Sequence, residues 1–128
     1  MRKTINIGGQ DLEIESNALL PRLYRKEFGR DLMVDMRKLA DRYKADQENF
    51  DSEVLENVTW LMLKAAGNDV GNSVDEWLAS LDDILGVYMA LPEVVELWAG
   101  SHKTTSKPKK NKTIGPGTEW RDLYAALC

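Results

Sequence analysis

The sequence predicts a mainly α-helical fold, in which an N-terminal β-hairpin packs on a bundle of about five short helices and a flexible basic C-terminal tail follows. Apolar residues alternate with polar ones only near the N-terminus, whereas they recur at helical spacing from residue 17 to residue 100. Residues 101–112 then contain no aliphatic side chain and no Phe, Tyr or Trp. These observations divide the chain into a helical domain with its hairpin (1–100), a flexible basic linker (101–117) and a short amphipathic segment (118–128).

The hairpin prediction rests on alternation around a pair of glycines. Apolar residues alternate with polar ones on both sides of Gly8-Gly9, at Ile5 and Ile7 and again at Leu12 and Ile14. A period of two places each pair on one face of a strand, and two glycines supply the positive φ angles of a tight turn. Because an isolated hairpin is only marginally stable in water, its apolar face must pack on another element.

The five helices are predicted from apolar spacing together with capping residues. Gly29 is placed to end the first helix, Ser73 and Glu76 match a capping box, and Phe50 with Leu55 has the spacing of a hydrophobic staple. Pro92 either kinks the last helix or divides it into two. The expected spans are Asn17 to about Phe28, Asp31 to about Tyr43, Asp51 to about Ala66, a short helix after Ser73, and Asp82-Asp83 to Gly100.

Charge is unevenly distributed along the chain. The net charge of −4 divides into −8 over residues 1–101 and +4 over residues 102–128. An acidic body argues against a nucleic-acid-binding domain, whose affinity depends on Lys and Arg that neutralise phosphates. The basic tail remains available to an anionic partner.

The sequence favours a soluble protein of a reducing cytoplasm. Its single cysteine, Cys128, excludes an intramolecular disulfide. The charged N-terminus has no apolar signal core behind it, and no apolar stretch approaches the roughly 20 residues of a membrane span.

For the residues that could act in catalysis, the sequence favours roles other than catalysis. His102, the single histidine, begins the linker, and a nucleophilic Cys128 would need a positioned base. The acidic pairs at residues 75–76 and 82–83 suit helix starts, where carboxylates stabilise the helix dipole. We therefore expect no catalysis, no metal and no cofactor.

Binding to other proteins is the more promising role, because the chain is rich in Met and Trp. Most of these side chains should fill the core, but Met-rich apolar surfaces adapt to varied partners and Trp is favoured at interface hot spots. We expect the contact surface among Met33, Met36, Trp77, Tyr88, Trp98 and Trp120. Trp120 belongs to the amphipathic segment 118–127, which is too short to be a stable helix unless it docks.

The overall pattern of residues 3–100 resembles the tail assembly chaperones of long-tailed phages and prophages of Gram-positive bacteria. A short hairpin, Lys-Thr-Ile-Asn-Ile-Gly-Gly-Gln-Asp-Leu-Glu-Ile, leads directly into the first helix. The segments that follow in the same order are Tyr24–Asp31, Val58–Ala66, Ser73–Leu78 and Val95–Trp98.

The resemblance implies a partner protein and a cellular location. Such proteins coat the helical tape-measure protein in the host cytoplasm, keep it soluble and help recruit tail-tube subunits, and they are absent from the finished virion. The family also implies two products related by a programmed ribosomal frameshift. Lys109-Lys110-Asn111-Lys112 is compatible with a slippery codon run, and residues 118–128 with the start of the extended region. An ordinary basic tail explains both segments equally well. The sequence does not determine the oligomeric state.

Two other function classes remain. Short helices separated by turns can contain a helix-turn-helix, so the chain is alternatively a small DNA-binding regulator. The third class is an enzyme subunit whose active site is completed by another chain.

Overall fold

Two strands and five helices make up the described part of the chain. The computed structural model describes residues 1–45 and 52–100. A mainly helical fold with an N-terminal hairpin is confirmed, whereas the predictions for Phe50, Asp51 and residues 101–128 lie outside the described residues. The elements are β1 (Arg2–Ile7), β2 (Gln10–Glu15), α1 (Leu20–Phe28), α2 (Leu32–Ala45), α3 (Glu53–Ala65), α4 (Val74–Ala79) and α5 (Ile84–Gly100).

The hairpin has the predicted turn and face. β1 and β2 are antiparallel with Ile5 opposite Leu12, and Gly8 and Gly9 turn the chain with φ angles of 61° and 89°. Glycine adopts these angles without steric cost. The face toward the helices contains Ile5, Ile7 and Ile14, which are buried, and the half-buried Leu12.

Most helix ends follow the predicted capping chemistry. Gly29 ends α1 in the left-handed conformation at φ 68°. The Asp31 carboxylate accepts from the Val34 N–H at the start of α2, and the Ser73 hydroxyl accepts from the Glu76 N–H at the start of α4. The first helix begins later than predicted, because the Asn17 carboxamide accepts from the Leu19 N–H in a preceding turn. α5 is a single helix that contains Pro92.

α3 lies at the centre of the fold. It contacts β2 and each of the other four helices, and Leu55 and residues 58–63 are buried. The hydroxyl of Thr59 donates to the Leu55 carbonyl at 2.6 Å, and the Trp60 indole N–H donates to the Val70 carbonyl at 3.0 Å. These bonds satisfy polar groups that would otherwise be costly to bury.

The hairpin is held between α3 and α5. β2 packs on α3 and β1 on α5, and Lys3 forms an ion pair with Glu96 at 2.8 Å. The hairpin turn approaches α5 closely at Gly86, where a Cβ atom would lie 2.9 Å from the backbone nitrogen of Gly8. A backbone atom cannot yield as a flexible side chain would, so this contact requires glycine at position 86.

We predict that Gly86→Ala destabilises the fold although alanine is the better helix former. Overpacking a close backbone contact typically costs about 1–3 kcal/mol, which exceeds what alanine gains near a helix end, so we expect a net loss of about 1–2 kcal/mol. Urea denaturation followed by circular dichroism measures the difference.

Gly100→Ala is the matched control for this prediction. It makes the same change in the same helix, but among the described residues the added Cβ would meet only the side-chain end of Met1, at 3.4 Å. We expect an unchanged or slightly raised midpoint for the control. Equal midpoints for the two variants would contradict the proposed contact between α5 and the hairpin turn.

Candidate protein-binding site

The structure places three of the predicted binding residues in the hydrophobic core. Met36, Trp77 and Trp98 are only 2%, 4% and 3% exposed to solvent. Side chains that are covered to this degree present no surface to a partner, so their assignment to the contact surface is corrected. Their burial agrees with the simpler expectation that large apolar side chains fill a core.

Two of the predicted residues are accessible. Met33 on α2 is 46% exposed and Tyr88 on α5 is 42% exposed. Trp120 lies beyond the part of the chain that the structure describes. The two accessible residues belong to different helices, and each is next to further exposed apolar side chains.

The largest apolar exposure is on the first half of α5. Leu85, Tyr88 and Met89 are 63%, 42% and 76% exposed. Their spacing of three and four residues places them side by side on one helix face, and we call these three residues the α5 patch. Val87, Ala90 and Leu91, which lie between or beside them in sequence, are buried on the opposite side.

A shallow cleft continues the α5 patch toward α4. It has a volume of about 200 Å³ and is lined by Glu56, Leu78, Leu81, Asp83, Val87 and Tyr88. The Tyr88 hydroxyl donates to a carboxylate oxygen of Glu56 at 2.9 Å, which holds the ring at the edge of the cleft. The patch therefore combines protruding side chains with a recess beside them.

Acidic residues lie beside this surface. Residues 52–100 contain nine Asp and Glu residues and a single Lys. Asp82 and Asp83 are exposed directly before α5, and the Asp83 carboxylate caps the helix by accepting from the Leu85 N–H at 3.0 Å. An apolar patch with an acidic rim suits a partner whose apolar stripe is flanked by Lys or Arg.

A second, smaller apolar area lies on α2. Met33 and Val34 are 46% and 45% exposed, and they precede the exposed cations Arg37 and Lys38. Residues 20–45 contain eight Lys and Arg against four Asp and Glu. The two accessible areas thus differ in the sign of the surrounding charge.

A buried carboxylate, that of Asp35, accepts three hydrogen bonds from side chains. It is 4% exposed and accepts from the Tyr24 hydroxyl at 2.8 Å and from the Arg30 guanidinium at 2.7 and 2.8 Å. The hydrogen bonds from Arg30 hold the pKa of Asp35 below its usual range, against the opposing effect of burial. Burial and the neighbouring carboxylate raise the pKa of Tyr24. Both carboxylate oxygens are engaged, and the cluster joins α1 to α2.

Two further features are absent from residues 1–45 and 52–100. No group of three or more His, Cys, Asp or Glu side chains there has the arrangement of a metal site. No helix in that part of the chain has the length and apolar character needed to cross a membrane. His102 and Cys128 lie outside it.

Comparisons with known proteins identify no relative of this chain. No family model matches the chain, and neither a curated protein nor a solved structure is similar to it.

Sequence reasoning missed Leu85 and Met89 as surface residues. The available signal was that α5 carries apolar residues all around its first turns, more than a single core-facing stripe requires. The spacing identifies the three-residue face, but only the packing of α5 on β1 and α3 shows which side is covered.

We predict that Asp35→Asn lowers stability and flattens its dependence on acid pH. The folded-state pKa of Asp35 is depressed below the ordinary value of 3.8, so the carboxylate stabilises the fold above that value. This contribution disappears as the pH falls through the depressed pKa. At neutral pH we expect a loss of about 2 kcal/mol, below the range for fully buried pairs because Arg30 is largely exposed.

The measurement is urea denaturation between neutral pH and pH 3. Asp41→Asn is the matched control, because Asp41 is an exposed carboxylate on the same helix. The control should keep the stability and acid slope of the wild type. An Asp35→Asn variant with the wild-type slope would show that this cluster does not contribute to the pH dependence.

Proposed function

We propose that this chain is a phage tail assembly chaperone that acts by reversible protein binding and not by catalysis. It covers apolar stripes of the tape-measure protein, keeps that protein soluble in the host cytoplasm and helps recruit tail-tube subunits. The pattern of residues 3–100 supports the proposal through its resemblance to this family. The observation that carries the binding role is the α5 patch.

The α5 patch has the residue spacing of a helix-binding surface. Leu85 and Met89 lie one turn apart on the same face, so they match the apolar positions of a partner helix that repeat every three or four residues. Methionine is unbranched and polarisable, and it therefore adapts to partner side chains of different shape. These properties suit a chaperone that must bind many segments of one long helical protein.

The acidic rim favours partner helices that carry cations. Glu56, Asp82 and Asp83 are close to the patch or its cleft. Charges at the rim of an interface mainly determine partner choice and association rate, whereas the desolvated apolar side chains supply most of the affinity. A single small patch binds weakly, but many copies on one long partner would gain avidity.

We predict that the double substitution of Leu85→Gln with Met89→Gln impairs binding to the tape-measure protein. Glutamine leaves the charge unchanged and removes apolar contact, and two lost contacts of about 1 kcal/mol each correspond to a binding constant lowered at least tenfold. Co-expression with the tape-measure protein encoded by the neighbouring gene, followed by co-purification, measures the effect.

The matched control is Met33→Gln with Val34→Gln, which makes an equivalent change in the exposed pair on α2. The control should keep the tape-measure protein in solution as the wild type does. A tape-measure protein that is equally insoluble with and without this chain would refute the chaperone function. Impairment by the α2 pair alone would place the binding surface on α2.

DNA binding is a second candidate with one observation in its favour. α1 and α2 are joined by three residues, 29–31, and this helical pair contains the excess of cations in residues 20–45. A recognition helix needs such cations to neutralise phosphates, but residues 52–100 would oppose the approach of DNA with their net negative charge.

A mobility-shift titration of the full chain tests the DNA-binding alternative. If it holds, binding to duplex DNA falls steeply as salt is raised, and Arg37→Gln with Lys38→Gln weakens it further. We expect no shift at physiological salt. A salt-dependent shift that this substitution abolishes would favour the regulator over the chaperone.

A further inference from the structure

The amphipathic segment 118–127 has the chemistry to occupy the α5 patch. At helical spacing, Trp120, Leu123, Tyr124 and Leu127 fall on one face. At a rise of 1.5 Å per residue that face is about 10 Å long, so it covers the row formed by Leu85, Tyr88 and Met89, which is about 6 Å long, and extends beyond it. An aromatic side chain of the segment also matches the cleft beside Tyr88, whose walls include Leu78 and Leu81.

The intervening sequence has the length to connect the two. Residues 101–117 provide 17 residues. A Gly-rich random coil of that length has a root-mean-square span of roughly 23 Å, and repulsion between the five lysines of a charged tether extends it further. α5 ends at Gly100, and a rise of 1.5 Å per residue places Met89 and Leu85 about 17 and 22 Å back along the helix. The 17 residues are therefore long enough to bridge this distance, and a tether that can span the two sites raises the effective concentration of the segment at the patch.

The charges of the tether and of the body are complementary. Residues 101–117 contain five Lys and no Asp or Glu, whereas residues 52–100 carry a net charge of −8. Glu93 and Glu96 lie on α5 between its end and the patch, where Lys3 already forms ion pairs with them. Asp82 and Asp83 lie beyond the patch. A basic tether that runs back along α5 would therefore follow acidic groups.

We propose that residues 118–127 dock in cis on the α5 patch, with Trp120 as the aromatic anchor. The docked segment covers Leu85, Tyr88 and Met89 and shields them from solvent. The regulatory consequence rests on the proposed function: the segment competes with the partner helix for one surface. The docking itself concerns the isolated chain and is tested without any partner.

The single cysteine makes the test direct. A nitroxide attached to Cys128 requires no added thiol, because the chain contains no other cysteine. Paramagnetic broadening of backbone amide signals is then measured by NMR on the full-length chain. We expect selective loss of signal for residues 83–90, and retention for α1, which does not pack on α5 in the described part of the chain.

Two matched double variants distinguish docking from random proximity. Leu85→Gln with Met89→Gln should abolish the selective broadening, as should Trp120→Gln on the segment. Met33→Gln with Val34→Gln should leave it intact. Since the substituted α5 side chains Leu85 and Met89 are 63% and 76% exposed, the amide spectrum will show that the fold is retained.

Each other result overturns the proposal. Broadening that is uniform over the chain, or unchanged in the α5 double variant, means that the segment does not bind the patch. Broadening of an isotope-labelled, nitroxide-free chain by an unlabelled, spin-labelled chain means that the contact forms between copies. Neither result bears on co-purification with the tape-measure protein, so the two proposals can fail separately.

Discussion

Six consecutive residues of α3, Val58–Leu63, are buried, and this helix therefore has no solvent-facing side over that stretch. An α-helix distributes six residues around more than one turn, so neighbours must cover every side. β2, α1, α2, α4 and α5 provide this cover. The arrangement also requires partners for polar atoms within α3, which the Leu55 and Val70 carbonyls supply to Thr59 and Trp60.

The hydrogen bonds of Asp35 fix α2, one of the elements that cover α3, to α1. Tyr24 binds the Asp35 carboxylate from the middle of α1, and Arg30 binds it from the turn that follows α1. The Tyr24 ring packs on Phe28 at 4.9 Å, and Phe28 packs edge-on to Trp60 at 6.2 Å between ring centroids. A buried polar network and an aromatic row thus connect α2 and α1 to the central helix, which explains why a charged group is retained at the core boundary.

Turn and capping residues could be predicted from the sequence, whereas the solvent exposure of individual side chains could not. Gly8-Gly9, Gly29 and Ser73 act through their own backbone or through residues three positions away, so their roles are visible in short sequence windows. Whether Met36 or Met89 is covered depends on which elements pack against each helix. Gly86 shows the same limit, because its requirement for glycine comes from the turn at Gly8, far away in sequence.

The anchoring of α5 is what makes its exposed face suitable for binding. Gly86 contacts the hairpin turn, Asp83 caps the first turn, and Tyr88 bonds to Glu56 on α3. A surface held in this way loses little conformational freedom when a partner binds, which favours affinity. A tethered segment has an effective concentration near the millimolar range, so a free partner helix at micromolar concentration would need about a thousandfold advantage to displace it. Under the two proposals, a long partner that engages many copies at once could reach this advantage, whereas a short stray helix could not.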